Sequence, residues 1–300
     1  MLLSAILNRA EAMRIGATLL VVASVAGCAG GTRGFEGSRA LDLVKEQLAF
    51  GPRYPGADGH AMVQGWLSEQ LQRDGWQTRS DSFGYREATL TNIVADRGPA
   101  PGPLIVLGAH YDTRRLADRD PVSPGLPVPG ADDGASGVAV LLEIARVLGS
   151  QPPSCDLQLA FFDGEDNGGI AGWDWAVGAE HHAASLTREP LAVVVVDMVG
   201  DRELDLPIER NSTPDLAAEI WSAAQAEHLT AFRSEAGPSL LDDHSPFLRR
   251  GWRAVDIIDF DYPSWHTTAD TLDKVSAGSL DQVGQALMAW LAKACLPLEG

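Results

Sequence analysis

The sequence predicts an α/β fold, a three-layer α/β/α sandwich whose central sheet is mostly parallel. One observation is that four short runs are almost continuously aliphatic or β-branched, as is typical of strands covered on both faces. The other is that segments with helical spacing of apolar residues lie between and after these runs, and strands that alternate with helices form layered, parallel sheets. The four runs are 104–108, 157–162, 192–196 and 254–258.

The helical segments carry signals of where they begin. Apolar residues recur at helical spacing through 138–148, behind a glycine-rich stretch. Pro214 follows Thr213, and proline is favoured in the first turn of a helix because its missing N–H is not needed there. Ser279 and Gln282 have the spacing of a capping box at the start of an amphipathic final helix. These segments supply the helices that the layered fold requires.

The first residues have the pattern of an export signal. Arg14 precedes an apolar run, 15–26, which at about 1.5 Å per helical residue is too short to cross a bilayer core of ~30 Å. The run leads through Gly27 to Cys28, which resembles a bacterial lipoprotein box with a lipidated cysteine; a plain signal peptide that contains a cysteine is the alternative. The predicted organisation is a lipoprotein-type signal peptide at 1–27, a flexible tether at 28–36 and a single folded domain at 37–297.

The composition limits the partners of the chain. Its formal net charge is −18 at pH 7. An acidic surface repels phosphate groups, which argues against nucleic acid and against charge-driven docking to anionic lipid. The charge therefore leaves a lipid on Cys28 as the expected contact with the membrane. With the export signal, we expect a protein that faces the periplasm or the cell exterior, and we also expect a monomer.

The remaining cysteines are Cys155 and Cys295. Neither lies in a CxxC or Cys/His pattern, so a thiolate metal site is not expected. In an exported protein the two could form a disulfide. The sequence leaves open whether they meet.

Ionisable residues follow each of the four predicted strands. Open α/β sheets bind ligands beyond the carboxyl ends of their strands, so this arrangement predicts an active site at that edge. Carboxylates that converge there repel each other unless a cation lies among them. Histidines together with carboxylates, without thiolates, suit zinc, whereas calcium and magnesium use more oxygen ligands and fewer imidazoles. The residues are His110, Asp112, Asp163, Glu165, Asp166, Asp197 and His266.

Seven motifs in order along the chain give a resemblance to a known family. The chain resembles the zinc aminopeptidase and glutaminyl cyclase family over essentially its whole length after the signal peptide. The resemblance implies a zinc-dependent enzyme that acts on the N-termini of peptides or proteins. The matching stretches are FGPRYPG at 50–56, GAHYDT at 108–113, GADDGASG at 130–137, FFDGED at 161–166, VDMVG at 196–200, DDHSPFLRRG at 242–251 and WHT at 265–267.

The resemblance also implies the metal ligands and the general acid/base. Asp133, Asp166 and His266 would bind the catalytic zinc, with Asp132 as the alternative to Asp133. Glu165 would transfer protons. The family more often has a Glu-Glu pair here, so Asp166 is a departure, and we expect a repositioned metal rather than a lost one.

A second metal position is also implied. His110 and Asp197 match the second-zinc ligands of the aminopeptidases, and Asp112 would orient His110. Glutaminyl cyclases keep these residue types while they hold one zinc. The two residues therefore do not decide between the two activities.

Three residues favour the cyclase. Trp265 and Trp173 match aromatic residues at the cyclase pocket, and Asp242 matches a carboxylate that hydrogen-bonds with Asp197 there. The predicted reaction converts an N-terminal glutamine to pyroglutamate and releases ammonia, with Glu165, Asp197 and Asp242 as catalytic residues and one zinc. The alternative is an aminopeptidase with two zincs bridged by Asp133. A minor alternative is a binding lipoprotein without catalysis.

Overall fold

A computed structural model describes residues 34–98, 102–150 and 153–295. The predicted signal peptide and Cys28 lie outside these residues. Phe35 and Glu36, which we expected in the tether, instead contact the folded body: Phe35 packs on Gly284, and the backbone N–H of Glu36 donates to Glu143 Oε1 over 3.0 Å. None of the described helices has the length and apolar character that a membrane span needs.

Within the described residues, a six-stranded sheet has the strand order β1-β2-β4-β3-β5-β8. The four predicted runs form β4, β3, β5 and β8, which are parallel to one another. The strands β1 and β2, which we did not predict, add an antiparallel edge. A separate parallel pair is formed by β6 and β7. The bounds are β1 Gln77–Tyr85, β2 Ala88–Arg97, β3 Leu104–His110, β4 Asp156–Phe162, β5 Ala192–Asp197, β6 Leu206–Ile208, β7 Phe232–Ala236 and β8 Ala254–Ile258.

Helices cover both faces of this sheet, as the predicted sandwich requires. Alternate residues of a strand point to opposite faces, and in β3 Ile105 and Leu107 join the core with α1, α3, α5 and α7. Leu104 and Val106 join the smaller core with α4 and α6. The predicted fold class is therefore confirmed. The helices are α1 Gly37–Leu48, α2 Asp58–Arg73, α3 Ser136–Ser150, α4 Val177–Ser185, α5 Pro214–Ala226, α6 Ser245–Arg249 and α7 Ala277–Ala294, with short 3-10 turns at Ile170–Gly172 and Leu272–Lys274.

The start of α5 agrees with the prediction, whereas the capping residue of α7 differs from it. Pro214 is the first residue of α5. In α7 the capping residue is Ser276 rather than Ser279: the backbone N–H of Ser279 donates to Ser276 Oγ over 3.1 Å. Gln282 does not close a capping box, because its Oε1 accepts the backbone N–H of Ala231.

Cys155 and Cys295, which are 140 positions apart in sequence, form a disulfide that joins the start of β4 to the end of α7, with their Cα atoms 4.8 Å apart. A cross-link over so long a loop restricts the unfolded chain, and loss of such a bond typically costs about 2–5 kcal/mol. We expect the Cys155→Ser/Cys295→Ser protein to lose a free energy of unfolding of this size in denaturant titrations. Reductant should lower the free energy of unfolding of the wild-type protein to that of the variant. Equal stability of both proteins without reductant would contradict the cross-link.

Candidate active site

Histidine and acidic side chains gather at the carboxyl edge of the sheet. The strands β3, β4, β5 and β8 are parallel and end at the same edge, where ligands of α/β proteins bind. The last residues of β3 and β5, the segments after β4 and β8, and the residues that precede α3 bring the predicted site residues to one place. These residues are His110, Asp133, Glu165, Asp166, Asp197 and His266, and all are buried.

Two groups of metal-ligating atoms meet at Asp133. His110 Nε2 lies 3.0 Å from Asp197 Oδ1 and 3.3 Å from Asp133 Oδ1. His266 Nε2 lies 3.0 Å from Asp166 Oδ1 and 3.7 Å from Asp133 Oδ2. In each group the ligand atoms lie within 4.8 Å of one another. Ligands about 2.0–2.2 Å from a tetrahedral zinc are themselves about 3–4 Å apart, so both groups have suitable dimensions.

The unpaired oxygens of the site also fit a cation. Asp133 Oδ2 and Asp166 Oδ2 are buried and have no hydrogen-bond partner. A buried carboxylate oxygen without a donor is costly, and a metal ion would satisfy both atoms. Histidine nitrogens with carboxylate oxygens are donors that suit zinc. The residues present therefore fit the predicted metal.

The pKa shifts of the carboxylates in the site also fit a bound cation. Burial raises the pKa of Asp166 well above its usual range, and the charge of Asp133 adds to this shift. Burial also raises the pKa of Asp197 to about 7, against the opposing charge of His110. For Asp133 burial opposes ionisation, but the hydrogen bond and charge of His110 lower the pKa. Carboxylates this crowded are all anionic at neutral pH only when a cation lies among them.

Asp112 fixes the segment that carries Glu165 and Asp166. Its Oδ1 accepts the backbone N–H of Glu165 over 3.0 Å, and its Oδ2 accepts the backbone N–H of Asp166 over 3.3 Å and the Asn167 side chain over 3.2 Å. The expected contact with His110 is made by the backbone carbonyl of Asp112, 3.2 Å from His110 Nδ1. Asp112 therefore contacts residues of both groups of metal-ligating atoms.

Asp270 supports Asp133 in the same way, and sequence reasoning missed it. Its Oδ1 accepts the backbone N–H of Asp132 over 2.9 Å and the Tyr262 hydroxyl over 2.7 Å, and its Oδ2 accepts the backbone N–H of Asp133 over 3.2 Å. Burial raises the pKa of Asp270 to about 7. The only feature of the sequence that could have indicated Asp270 is its position shortly after the WHT motif, which contains His266.

His266 and its neighbour Trp265 are held in a strained segment. His266 has φ +56°, a left-handed conformation that is unfavourable for a non-glycine residue and is concentrated at functional sites. Its backbone oxygen accepts the Arg119 N–H over 3.2 Å. The Arg119 guanidinium lies 4.0 Å from the centroid of the Trp265 ring, which contacts His266 at 4.0 Å between ring centroids.

A cleft of about 160 Å³ opens beside these residues. Glu165, Asp197 and Asp242 line it together with Trp265. Burial raises the pKa of Glu165 well above its usual range, and the nearby charge of Asp242 raises it further. A carboxylic acid with a raised pKa can both accept and donate a proton near neutral pH. The cleft therefore joins a metal-ligand cluster to a group suited to proton transfer.

Trp173 does not line this cleft, and the indole that does is Trp175. The Trp175 ring is nearly parallel to His266, with 6.1 Å between ring centroids. Gly168 permits this packing, since a Cβ there would lie 2.0 Å from Trp175. Trp173 instead packs edge-on against Tyr85, with 5.2 Å between ring centroids, in a neighbouring cavity. The position expected for Trp173 is thus occupied by Trp175.

The chain is similar to known proteins over most of its length. The sequence pattern described as Peptidase family M28 matches residues 92–291. A glutaminyl-peptide cyclotransferase of Boiga irregularis is 27% identical over 288 residues, which cover 80% of this chain and 76% of that protein. An uncharacterized protein of Escherichia coli K12 is 38% identical over 135 residues, which cover only 45% of this chain and 40% of that protein.

Solved structures of a glutaminyl cyclase and of an aminopeptidase precursor share the fold. Bacteroides thetaiotaomicron glutaminyl cyclase, bound to N-acetylhistamine, is 29% identical with a TM-score of 0.81, covering 86% of this chain and 98% of that chain. A leucine aminopeptidase precursor from the same species is 30% identical with a TM-score of 0.81, covering 87% of this chain and 98% of that chain.

Proposed function

The chain belongs to peptidase family M28, and we propose that it is a zinc-dependent glutaminyl-peptide cyclotransferase. It would convert an N-terminal glutamine of peptides or proteins to pyroglutamate and release ammonia. The observation that carries this proposal is the small cleft in which Trp265 lies against His266 on one side and Glu165 and Asp242 lie among the other walls. A cleft of about 160 Å³ suits one folded side chain rather than an extended peptide.

The cleft residues would place the two ends of the glutamine residue against each other. Trp265 would hold the side chain bent back, so that the α-amine lies beside the γ-carboxamide carbon. Positioning of this kind removes much of the entropic barrier of an intramolecular attack. Because the nucleophile belongs to the substrate, the protein needs no nucleophile of its own.

Glu165 would carry the proton. As the amine nitrogen bonds to the carboxamide carbon (Cδ), Glu165 would accept a proton from that nitrogen; as the bond from Cδ to the amide nitrogen breaks, Glu165 would donate the proton to departing ammonia. Its raised pKa suits both directions of transfer. Asp197 and Asp242 would stabilise the tetrahedral state through hydrogen bonds.

Asp133, Asp166 and His266 would hold the zinc. When bound, zinc supplies Lewis acidity that polarises the γ-carboxamide oxygen. The Arg114 guanidinium, which donates to the backbone oxygens of Asp166 and Gly168 over 3.0 and 3.2 Å, would keep the shorter aspartate ligand in position.

A second candidate, an aminopeptidase with two zincs, is favoured by one specific observation. The two groups of ligand atoms share Asp133, as a bridging carboxylate would. In that case His110 and Asp197 would hold the second ion, and Glu165 would take a proton from the water that attacks the first peptide bond. Zinc analysis separates the candidates, since one ion per chain favours the cyclase and two favour the aminopeptidase.

The experiment that tests the proposal measures ammonia released from a glutaminyl dipeptide, beside cleavage of a leucine chromogenic amide by the same preparation. Release of ammonia without leucine cleavage would support the cyclase. Leucine cleavage without ammonia would make the chain an aminopeptidase, and the interpretation of Trp265 would then be wrong.

The membrane anchor remains a proposal in its own right. We expect the full chain to fractionate with membranes through a lipid on Cys28, and the Cys28→Ser protein to move to the soluble fraction, because the chain would then have lost its anchor. The Cys155→Ser/Cys295→Ser protein, which keeps Cys28, serves as the control and should stay with membranes. Wild-type protein in the soluble fraction would exclude the anchor.

A further inference from the structure

A second and larger cavity, of about 670 Å³, adjoins the catalytic cleft. Trp175 and Leu241 belong to the walls of both. Trp175 stacks on His266, which is a proposed zinc ligand. The Trp175 ring therefore separates the second cavity from that ligand. Leu241 is 58% exposed and immediately precedes Asp242. The two cavities are therefore parts of one continuous surface.

Besides Trp175, three aromatic rings belong to the walls of the second cavity. Phe83 and Tyr85 come from β1, and Trp173 from the segment before α4. Each of these rings is only half-buried. Contiguous exposed apolar surface on a folded protein marks a binding site more often than scattered apolar residues do. Aromatic rings that retain free surface next to a catalytic cleft point to a ligand with apolar groups.

Contacts around the rings hold them in fixed positions. The Tyr85 hydroxyl donates to Asp174 Oδ2 over 2.7 Å and accepts the backbone N–H of Asp174 over 3.0 Å. Phe83 stacks on His181 with 3.9 Å between ring centroids, and His181 Nε2 lies 3.2 Å from Asp81 Oδ2. The cavity is thus formed before a ligand binds, which lowers the entropic cost of binding.

The charged groups on these walls already have partners. Glu180 forms ion pairs with Arg249 and Arg250, and Asp174 is hydrogen-bonded to Tyr85. A basic side chain would therefore meet compensated carboxylates, whereas an aromatic or large aliphatic side chain would meet the half-buried rings. The chemistry of the walls selects an uncharged, apolar group.

We propose that this aromatic cavity binds the side chain of the second or third residue of the peptide substrate, and that it prefers aromatic and large aliphatic side chains. The proposal rests on the proposed function, in which the first residue lies beside Trp265. Trp175 and Leu241 line both the cleft and the cavity, and an extended chain advances about 3.3–3.6 Å per residue, so this shared wall would give the next two residues a route to the cavity. The substrate class would be peptides with an N-terminal glutamine followed closely by an apolar residue.

The test compares kcat/KM for ammonia release from Gln-Ala-Ala, Gln-Phe-Ala and Gln-Ala-Phe, with glutamine amide as the reference. We expect one of the phenylalanine peptides to exceed Gln-Ala-Ala by about tenfold in the full-length wild-type protein, mainly through KM. In Tyr85→Ala this ratio should fall to about twofold or less. Met62→Ala, which alters an apolar residue that is 48% exposed on α2, should keep the wild-type ratio.

Three outcomes would overturn the proposal or separate it from the proposed function. Equal kcat/KM for the three tripeptides, with glutamine amide turned over, would exclude the cavity as a subsite but leave the cyclase intact. A ratio that survives in both Tyr85→Ala and Phe83→Ser would also exclude it. If no ammonia is released from any substrate, the proposed function fails. The affinities of the same tripeptides for the Glu165→Gln protein, measured by calorimetry, then test the cavity alone, and equal affinities would exclude it.

Discussion

Replacing Glu165 by Gln is expected to lower turnover by about 10²–10⁴-fold while the zinc content stays unchanged. Glu165 lies in the cleft beside Asp242 but belongs to neither group of metal-ligating atoms. Its backbone N–H is held by Asp112 over 3.0 Å, a contact that glutamine would keep. The substitution therefore removes the proton carrier and leaves the site otherwise in place. Turnover on a glutaminyl peptide and zinc per chain are the two quantities to measure.

A matched control is available in Glu180→Gln. Glu180 is a partly exposed glutamate that forms ion pairs with Arg249 and Arg250 and lies outside the catalytic cleft. Glutamine amide, which does not reach the second cavity, should be turned over normally by this protein. Full activity of the Glu165→Gln protein would remove Glu165 from the mechanism.

Replacing Asp133 by Asn is expected to abolish zinc binding and turnover together. Asp133 is the one residue that both groups of ligand atoms share, so the substitution weakens either metal position. Loss of an outer-shell partner alone lowers metal affinity by about 10–100-fold, and we expect the loss of a direct ligand to exceed this. Zinc retained after dialysis against a chelator, beside a thermal melt that checks folding, measures the effect.

Asp132 provides the paired test, because it is the alternative ligand. Asp132 Oδ1 accepts the backbone N–H of Gly200 over 2.7 Å, which gives this side chain a structural partner instead of a place in either ligand group. We expect Asp132→Asn to keep its zinc, although it can lower stability. If Asp132→Asn loses zinc while Asp133→Asn retains it, the ligand assignment is the reverse of ours.

The sequence predicted the four parallel strands of the sheet. The runs that became β3, β4, β5 and β8 are apolar because both faces of each strand are covered. The order of charged residues after those strands then placed His110 and Asp197 at one edge. The strand β1 was not predicted, since its residues are mostly exposed and polar and carry no apolar periodicity.

Other features depend on contacts between distant segments, which local patterns do not encode. The pairing of Cys155 with Cys295 requires β4 and α7 to meet. Asp270 acts on backbone amides about 140 residues away, at a distance in sequence that no motif spans. Trp175 rather than Trp173 lines the cleft. The segment that carries both rings has positive φ at Ala171 and Ala176, an irregular backbone path that spacing from Glu165 does not reveal.

The most direct test of the central claim is the mass spectrum of one glutaminyl peptide after incubation with the zinc-loaded protein. The proposed cyclase predicts a single product with every residue retained and the mass of one ammonia lost. A peptide shortened by its first residue, with free glutamine beside it, would contradict the cyclase and identify the two-zinc aminopeptidase.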